Sequence, residues 1–129
     1  DSFMFMAFAP SQFISIGSFE GNGDADGAWV PALNSLGIPL QPVFRLTKNI
    51  DAVGDWLIQD TTRSPYNVAN AQLKPNQSEA ETTGNIYDID TGGFKERAAS
   101  SLTNKANTHI QLVVGTPIID TAGRIIAGR

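Results

Sequence analysis

The stretch V-F-R-L-T-K-N-I-D-A-V-G-D-W-L-I-Q-D-T-T-R-S-P-Y, residues 43–66, decides the fold class. In an extended strand Phe44, Leu46 and Lys48 point one way and Val43, Arg45 and Thr47 the other, because side chains alternate across a strand. After the polar tip N-I-D-A-V-G-D, Trp56, Ile58 and Asp60 alternate with Leu57 and Gln59. Period-two patterning on both sides of an Asn/Asp/Gly-rich connection predicts a β-hairpin. Trp56 is its expected core anchor, because an indole buries a large apolar area. Asp60-Thr61-Thr62-Arg63-Ser64-Pro65-Tyr66 is turn chemistry that ends the second strand. Asp60 and Arg63 are spaced for a local ion pair at that exit, worth about 0–1 kcal/mol if exposed. Nothing in the stretch is chemically reactive, so it reads as scaffold.

Short strands and turns continue on either side of the hairpin. Phe3 to Ala9 (F-M-F-M-A-F-A) reads as an apolar strand ended by Pro10, and Phe13 to Phe19 (F-I-S-I-G-S-F) as an alternating one. Gly21 to Gly27 is a tight loop, and Trp29 to Leu33 a short strand interrupted by Pro31. Leu36 to Pro42 leads into the hairpin. Asn67 to Asn76 fits a short helix or a weak strand, and Pro75 to Gly84 a polar surface loop. Ile86–Ile89, Gly92-Gly93 and Phe94–Ala98 read as strand, turn and strand. His109 to Val114 is a strand that Gly115-Thr116-Pro117 is expected to break, and Ile118 to Ile126 a small hairpin or arm. No long segment of period 3.6 occurs. The expectation is one all-β domain over residues 1–129, an antiparallel β-sandwich of jelly-roll type, with terminal arms at 1–12 and 117–129.

Composition narrows the function classes. At 129 residues and 41% hydrophobic content, the chain can bury about two thirds of its unfolded surface in one core. Its net charge of −4 shows no basic stripe of the kind that would bind nucleic acid. With no Cys there are no disulfides, thiolate metal sites or thiol nucleophiles. No apolar stretch approaches the roughly 20 residues of a membrane helix. Phe3 to Ala9 lacks the basic flank and the length of a signal-peptide core.

Each chemical candidate has a structural alternative of greater weight. Asp24-Ala25-Asp26-Gly27 hints at a calcium loop, but the twelfth position from Asp24 is Ser35 rather than a bidentate Glu, which favours an ordinary Gly/Asp turn. Asp88 and Asp90 share a strand face, where a solvated pair outweighs an acid–base dyad. His109 is the one His and has no G-x-S-x-G nucleophile motif to serve, so a structural role is expected. No cofactor or metal is expected. Trp29, beside Gly27 and Pro31, is the better candidate of the two tryptophans for an exposed position, where it could meet a sugar.

An internal echo links the termini. M-F-M-A-F-A-P-S-Q-F-I-S-I-G resembles I-Q-L-V-V-G-T-P-I-I-D-T-A-G: an apolar run, a Pro, a second apolar patch and a Gly. Either both segments pair within one sheet, or one is an arm for a neighbour.

Several pieces, in order, resemble a module of tailed-phage virion proteins, found as repeats in fibre-like proteins of marine phages and cyanophages. They are F-M-A-F-A (5–9), G-S-F-E-G-N-G-D-A-D-G (17–27), P-V-F-R-L-T-K (42–48), D-W-L-I-Q-D-T-T-R-S-P-Y-N (55–67), N-Q-S-E-A-E-T (76–82) and G-G-F-K-E-R (92–97). The resemblance spans roughly residues 4 to 115. Phe19 stands where the module usually has Tyr, and Ile110 to Gly115 lacks its aromatic ending. The resemblance implies a β-sandwich with a structural place on the virion and no catalytic residues.

The expected function is therefore that of a non-enzymatic capsid decoration (cement) protein on the outer surface of a bacteriophage virion. Its expected partners are the major capsid protein or another virion protein and its own copies, as a homodimer or homotrimer, with no nucleic acid or membrane. The alternative is a tail or head fibre module that contacts host glycans. The expected partner-binding residues are Phe3, Met4, Phe5, Met6, Phe8, Trp29, Ile118, Ile119, Ile125 and Ile126, the apolar groups of the two arms and the exposed indole. An exposed run of this kind invites association, since burying one such side chain is worth about 1.5–3 kcal/mol.

Overall fold

A computed structural model describes residues 5–9, 11–120 and 122–124. The strands are β1 (Ile14–Glu20), β2 (Trp29–Pro31), β3 (Leu40–Asn49), β4 (Leu57–Asp60), β5 (Ala69–Gln72), β6 (Thr82–Asp90), β7 (Gly93–Glu96) and β8 (Thr108–Pro117). They form two antiparallel four-stranded sheets, ordered β1-β8-β3-β4 and β2-β7-β6-β5, packed as a β-sandwich. The pairings β1–β8 and β2–β7, with a bridge from Ile58 of β4 to Leu73 just beyond β5, are those of a ribbon rolled on itself.

The central hairpin forms as the alternation predicts, with Phe44 opposite Asp60, Leu46 opposite Ile58 and Thr47 opposite Leu57. Pro42 enters β3 at a register shift between Pro42 and Phe44, where a residue with no N–H leaves no gap in the ladder. The echoed termini resolve into a pair within one sheet: Ile14–Glu20 runs antiparallel to Thr108–Val114. The ambiguous Asn67–Asn76 segment contributes the strand β5.

Three expectations need correction. Residues 5–9 form no strand. Both edges of β8 are taken, by β1 and β3, and the apolar segment instead lays Met6 and Phe8 against a sheet face. β8 continues through Gly115 to Pro117, because β3 starts early enough to pair with it (Leu40 opposite Pro117, Pro42 opposite Gly115). A Cβ on Gly115 would lie 2.4 Å from the Gln41 carbonyl oxygen, so glycine permits this close approach rather than ending the strand. Trp56 is not a core residue. It is half-buried, and Leu57 and Gln59 are the residues of β4 that turn inward. The alternation is as read, but its faces are exchanged, because a strand presents opposite sets of side chains to its two sides.

Candidate functional site: an inverted sheet face

Alternation across the first sheet sorts its side chains into rows. Ser15, Val113, Arg45 and Gln59 form one inward row, and Gly17, Gln111, Thr47 and Leu57 the next. The buried interior is accordingly polar on this side. Arg45 and Glu96 are fully buried and joined at 2.7 Å across the two sheets. Arg45 Nε donates to Gln111 Oε1 at 3.0 Å. Its guanidinium lies 4.3 Å from the ring centroid of Phe94, 4.6 Å from Tyr87 and 5.0 Å from Phe19. Desolvation pushes the Glu96 carboxyl above its ordinary pKa, and the Arg45 charge pulls it back. The buried apolar residues are Val30, Leu40, Leu57, Ile86, Tyr87, Phe94 and Val113 with three alanines, Ala32, Ala69 and Ala71, and, on the outward face of the first sheet, Leu46 and Leu112.

The outward rows are the apolar ones. Ile16, Leu112, Leu46 and Ile58 stand side by side across all four strands, and Ile14, Val114 and Phe44 form a neighbouring row that ends in Asp60. Over this face runs the segment of residues 5–9. Between it and the sheet lies a groove of about 410 Å³ lined by Met6, Phe8, Ile16, Leu46, Trp56, Ile110 and Leu112. A second depression of about 310 Å³ continues from Met6 and Trp56 to Ile58 and Pro75. A two-layer sandwich ordinarily turns apolar side chains inward and polar ones out. Here the first sheet does the reverse. The second sheet follows the rule, with Arg97 Nε 2.6 Å from Asp88 Oδ2 and Lys95 Nζ 2.8 Å from Asp26 Oδ1 on its outer side.

The expected partner-binding residues are divided by this geometry. Met6 and Phe8 line the groove and keep 47% and 45% of their surface exposed, while Phe5 points away at 92%. Trp29 is half-exposed opposite Lys95 on the second sheet, remote from the groove. Ile118, half-buried, donates its N–H to Pro39 O, and Ile119 is exposed; neither lines the groove. Phe3, Met4, Ile125 and Ile126 lie outside the described residues. Ile16, Trp56, Ile58 and Ile110 were not expected at a surface, and Leu46 and Leu112, though on the same outward face, are buried. Their signal is present in the alternation of β3 and β8, but the usual assumption that apolar means inward hides it.

The remaining candidates have structural employment. Asp24 Oδ1 accepts the Asp26 N–H at 3.0 Å, and Asp26 is held by Lys95, which lowers its pKa. Gly27 is required in this loop, since a Cβ there would lie 2.4 Å from Glu96 Cβ and 2.6 Å from Asn104 Nδ2. Among the described residues, no three His, Asp or Glu side chains converge as metal ligands. Adding EDTA is expected to leave the melting temperature unchanged, and a fall of many degrees would reveal an ion at Asp24 and Asp26. Asp60 accepts the N–H groups of Thr62 and Arg63 and pairs with the Arg63 guanidinium. Burial raises its pKa, but these contacts outweigh that and lower it. Asp88 is bound by Arg97, and Asp90 meets the Asn67 amide at 3.4 Å.

His109 is buried, stacks on Phe19 with centroids 5.1 Å apart, and has Nδ1 2.9 Å from Asn107 O. Burial lowers its pKa from the ordinary 6.5. The folded state therefore binds this proton less readily than the unfolded chain, and stability should fall as pH drops below about 6.5. Urea midpoints at pH 7.5 and 5.5 should differ in the wild type in that direction, and the difference should shrink in His109→Gln. An unchanged difference would assign the pH dependence to other groups.

The polar interior and the apolar exterior of one sheet are thus the same fact seen from two sides. The family comparison adds a boundary to it. The chain belongs to the DUF7483 family. The family model, described as a domain of unknown function, matches residues 1–113. The DUF7483 match therefore takes in the segment of residues 5–9, all of β1 to β7 and β8 as far as Val113, which are the elements that build the groove. No curated protein and no solved structure matches the chain.

Proposed function

We propose that this DUF7483 domain is a non-enzymatic structural protein of a bacteriophage virion, a capsid decoration protein whose first sheet lays its outer face on a shell subunit. The observation that carries this reading is the apolar outer face of the first sheet, where Leu46 and Leu112 are buried and Ile16, Met6 and Phe8 around them stay 45–55% exposed. Such a contiguous apolar surface marks a protein contact. The ordered resemblance to tailed-phage virion modules supplies the kind of partner. The protein content of purified particles tests it. Decoration predicts copy numbers in the hundreds per particle, and Phe8→Asp, at a groove residue that is 45% exposed, should reduce incorporation at least tenfold while leaving the fold intact by circular dichroism. A protein absent from particles, or a Phe8→Asp variant incorporated as well as the wild type, would overturn the proposal.

One observation favours a second reading, a fibre module that contacts host glycans. Trp29 is 49% exposed on the opposite sheet, flanked by Lys95 and Asp26. A half-exposed indole is suited to stacking on a sugar. This reading predicts copy numbers in the tens and a loss of host adsorption in Trp29→Ala.

A further inference from the structure

We propose that β1 is a homotypic docking edge: two copies of the chain pair their β1 strands antiparallel about a two-fold axis at Gly17. The result is a single eight-stranded sheet, four strands from each copy. This inference rests on strand geometry and stands whether or not the virion reading holds.

The first ground is that β1 is the terminal strand of its sheet, with β8 as its one partner strand and, at its first residue, a bridge from Ile14 to Ser11. Gly115 donates its N–H to Phe13 O at 3.0 Å and Gly21 to Asn107 O at 3.1 Å, one at each end of an unbroken register. Hydrogen-bonded pairs alternate along an antiparallel ladder. Ser15, Gly17 and Phe19 therefore exchange bonds with β8, while Ile16, Ser18 and Glu20 aim their N–H and C=O groups off the edge.

The second ground is that β1 itself carries no device that blunts an edge. Its seven residues, I-S-I-G-S-F-E, contain no Pro, no Lys and no bulge, and one charge at the far end. Edges that stay single usually carry one of those devices. The flanks are apolar instead. Ile16 is 55% exposed and lines the groove on one side. On the other side it shares a depression with Ile14 and Leu33, which is itself 44% exposed.

The third ground selects a second copy as the occupant. In a register centred on Gly17, Ile14 of one copy faces Glu20 of the other and Ile16 faces Ser18. Ser15 to Phe19 are paired throughout, Ile14 keeps its N–H contact with Ser11 O at 3.4 Å, and the two carboxylates lie at opposite ends, so no like charges meet. Glycine meets glycine at the axis, where two identical side chains would otherwise crowd a pair whose Cα atoms approach to about 4.5 Å.

That closest pair supplies the test. A Cβ on Gly17 meets nothing within 4 Å, and the chain contains no other Cys to compete. A separation of about 4.5 Å is within disulfide range. Under mild oxidation Gly17→Cys is expected to give a covalent dimer that dithiothreitol reverses, at least tenfold faster than Asn70→Cys, an exposed control on the other sheet. The wild type should sediment as a dimer, and Ile16→Lys as a monomer with unchanged circular dichroism. A monomeric wild type, or a Gly17→Cys that cross-links no faster than the control, would overturn the proposal.

Discussion

Arg45→Ala is expected to destabilise the domain by about 3–5 kcal/mol, the usual cost of stranding one member of a buried ion pair. A domain of this kind has roughly 5–15 kcal/mol in total, so the variant should be largely unfolded or near its midpoint at 37 °C. The physical chain is short. Arg45 is on the inward face of β3, and its guanidinium reaches Glu96 at 2.7 Å with both side chains fully buried. Removing it leaves a carboxylate without a cation among the rings of Tyr87 and Phe94, which had also held the cation. Arg45→Lys should recover only part of the loss, because an ammonium cannot keep the Gln111 contact, the Glu96 contact and the stacking at once. The double variant Arg45→Met, Glu96→Leu should recover most of it, since apolar replacement of a buried pair is often neutral. Urea denaturation checks all three. An Arg45→Ala protein within 1 kcal/mol of wild type would show that the pair is not buried.

The second large effect is a contrast between two aromatic residues. Phe94→Ala should cost about 3–5 kcal/mol. Its ring is fully buried, meets Tyr87 edge-on at 5.3 Å and carries the Arg45 cation at 4.3 Å. Trp56→Ala should cost clearly less, because the half-buried indole borders the outer groove and loses little packing. Its main effect should be on partner binding. Thermal melts of the two variants, read beside particle incorporation, separate core from docking surface. If Trp56→Ala unfolded the domain and Phe94→Ala did not, the two faces of the hairpin would have to be exchanged again.

The contrast also shows how far the chain could be read without coordinates. Strand alternation in Phe44–Thr47 and in His109–Val114 is explicit in the residues, and so were the all-β class and the central hairpin, while the repeated apolar–Pro–apolar pattern left open whether its two copies pair in one sheet or one is an arm. Period two gives two faces but does not say which is inside. Trp56 was assigned inward because large apolar groups usually are, whereas the interior partner of this sheet is an ion pair spanning residues 45 and 96. Nothing local to either residue announces the other, since their encounter is set by the stacking of two sheets. For the same reason Met6 and Phe8 were expected at a partner contact, but the sheet face they line was not. Gly115 was read as a break because its local chemistry is that of a turn; its use, a close approach to the Gln41 carbonyl oxygen, depends on where β3 begins.

The central claim is that the outer face of the first sheet is a contact surface. A cryo-EM map of the particle carrying the protein, at a resolution that shows side chains, tests it most directly. The account predicts that Ile16, Ile58 and Ile110 are covered by a shell subunit, with the segment of residues 5–9 inside the contact. A map in which that face looks into solvent, with the shell held through the charged outer side of the second sheet, would contradict it.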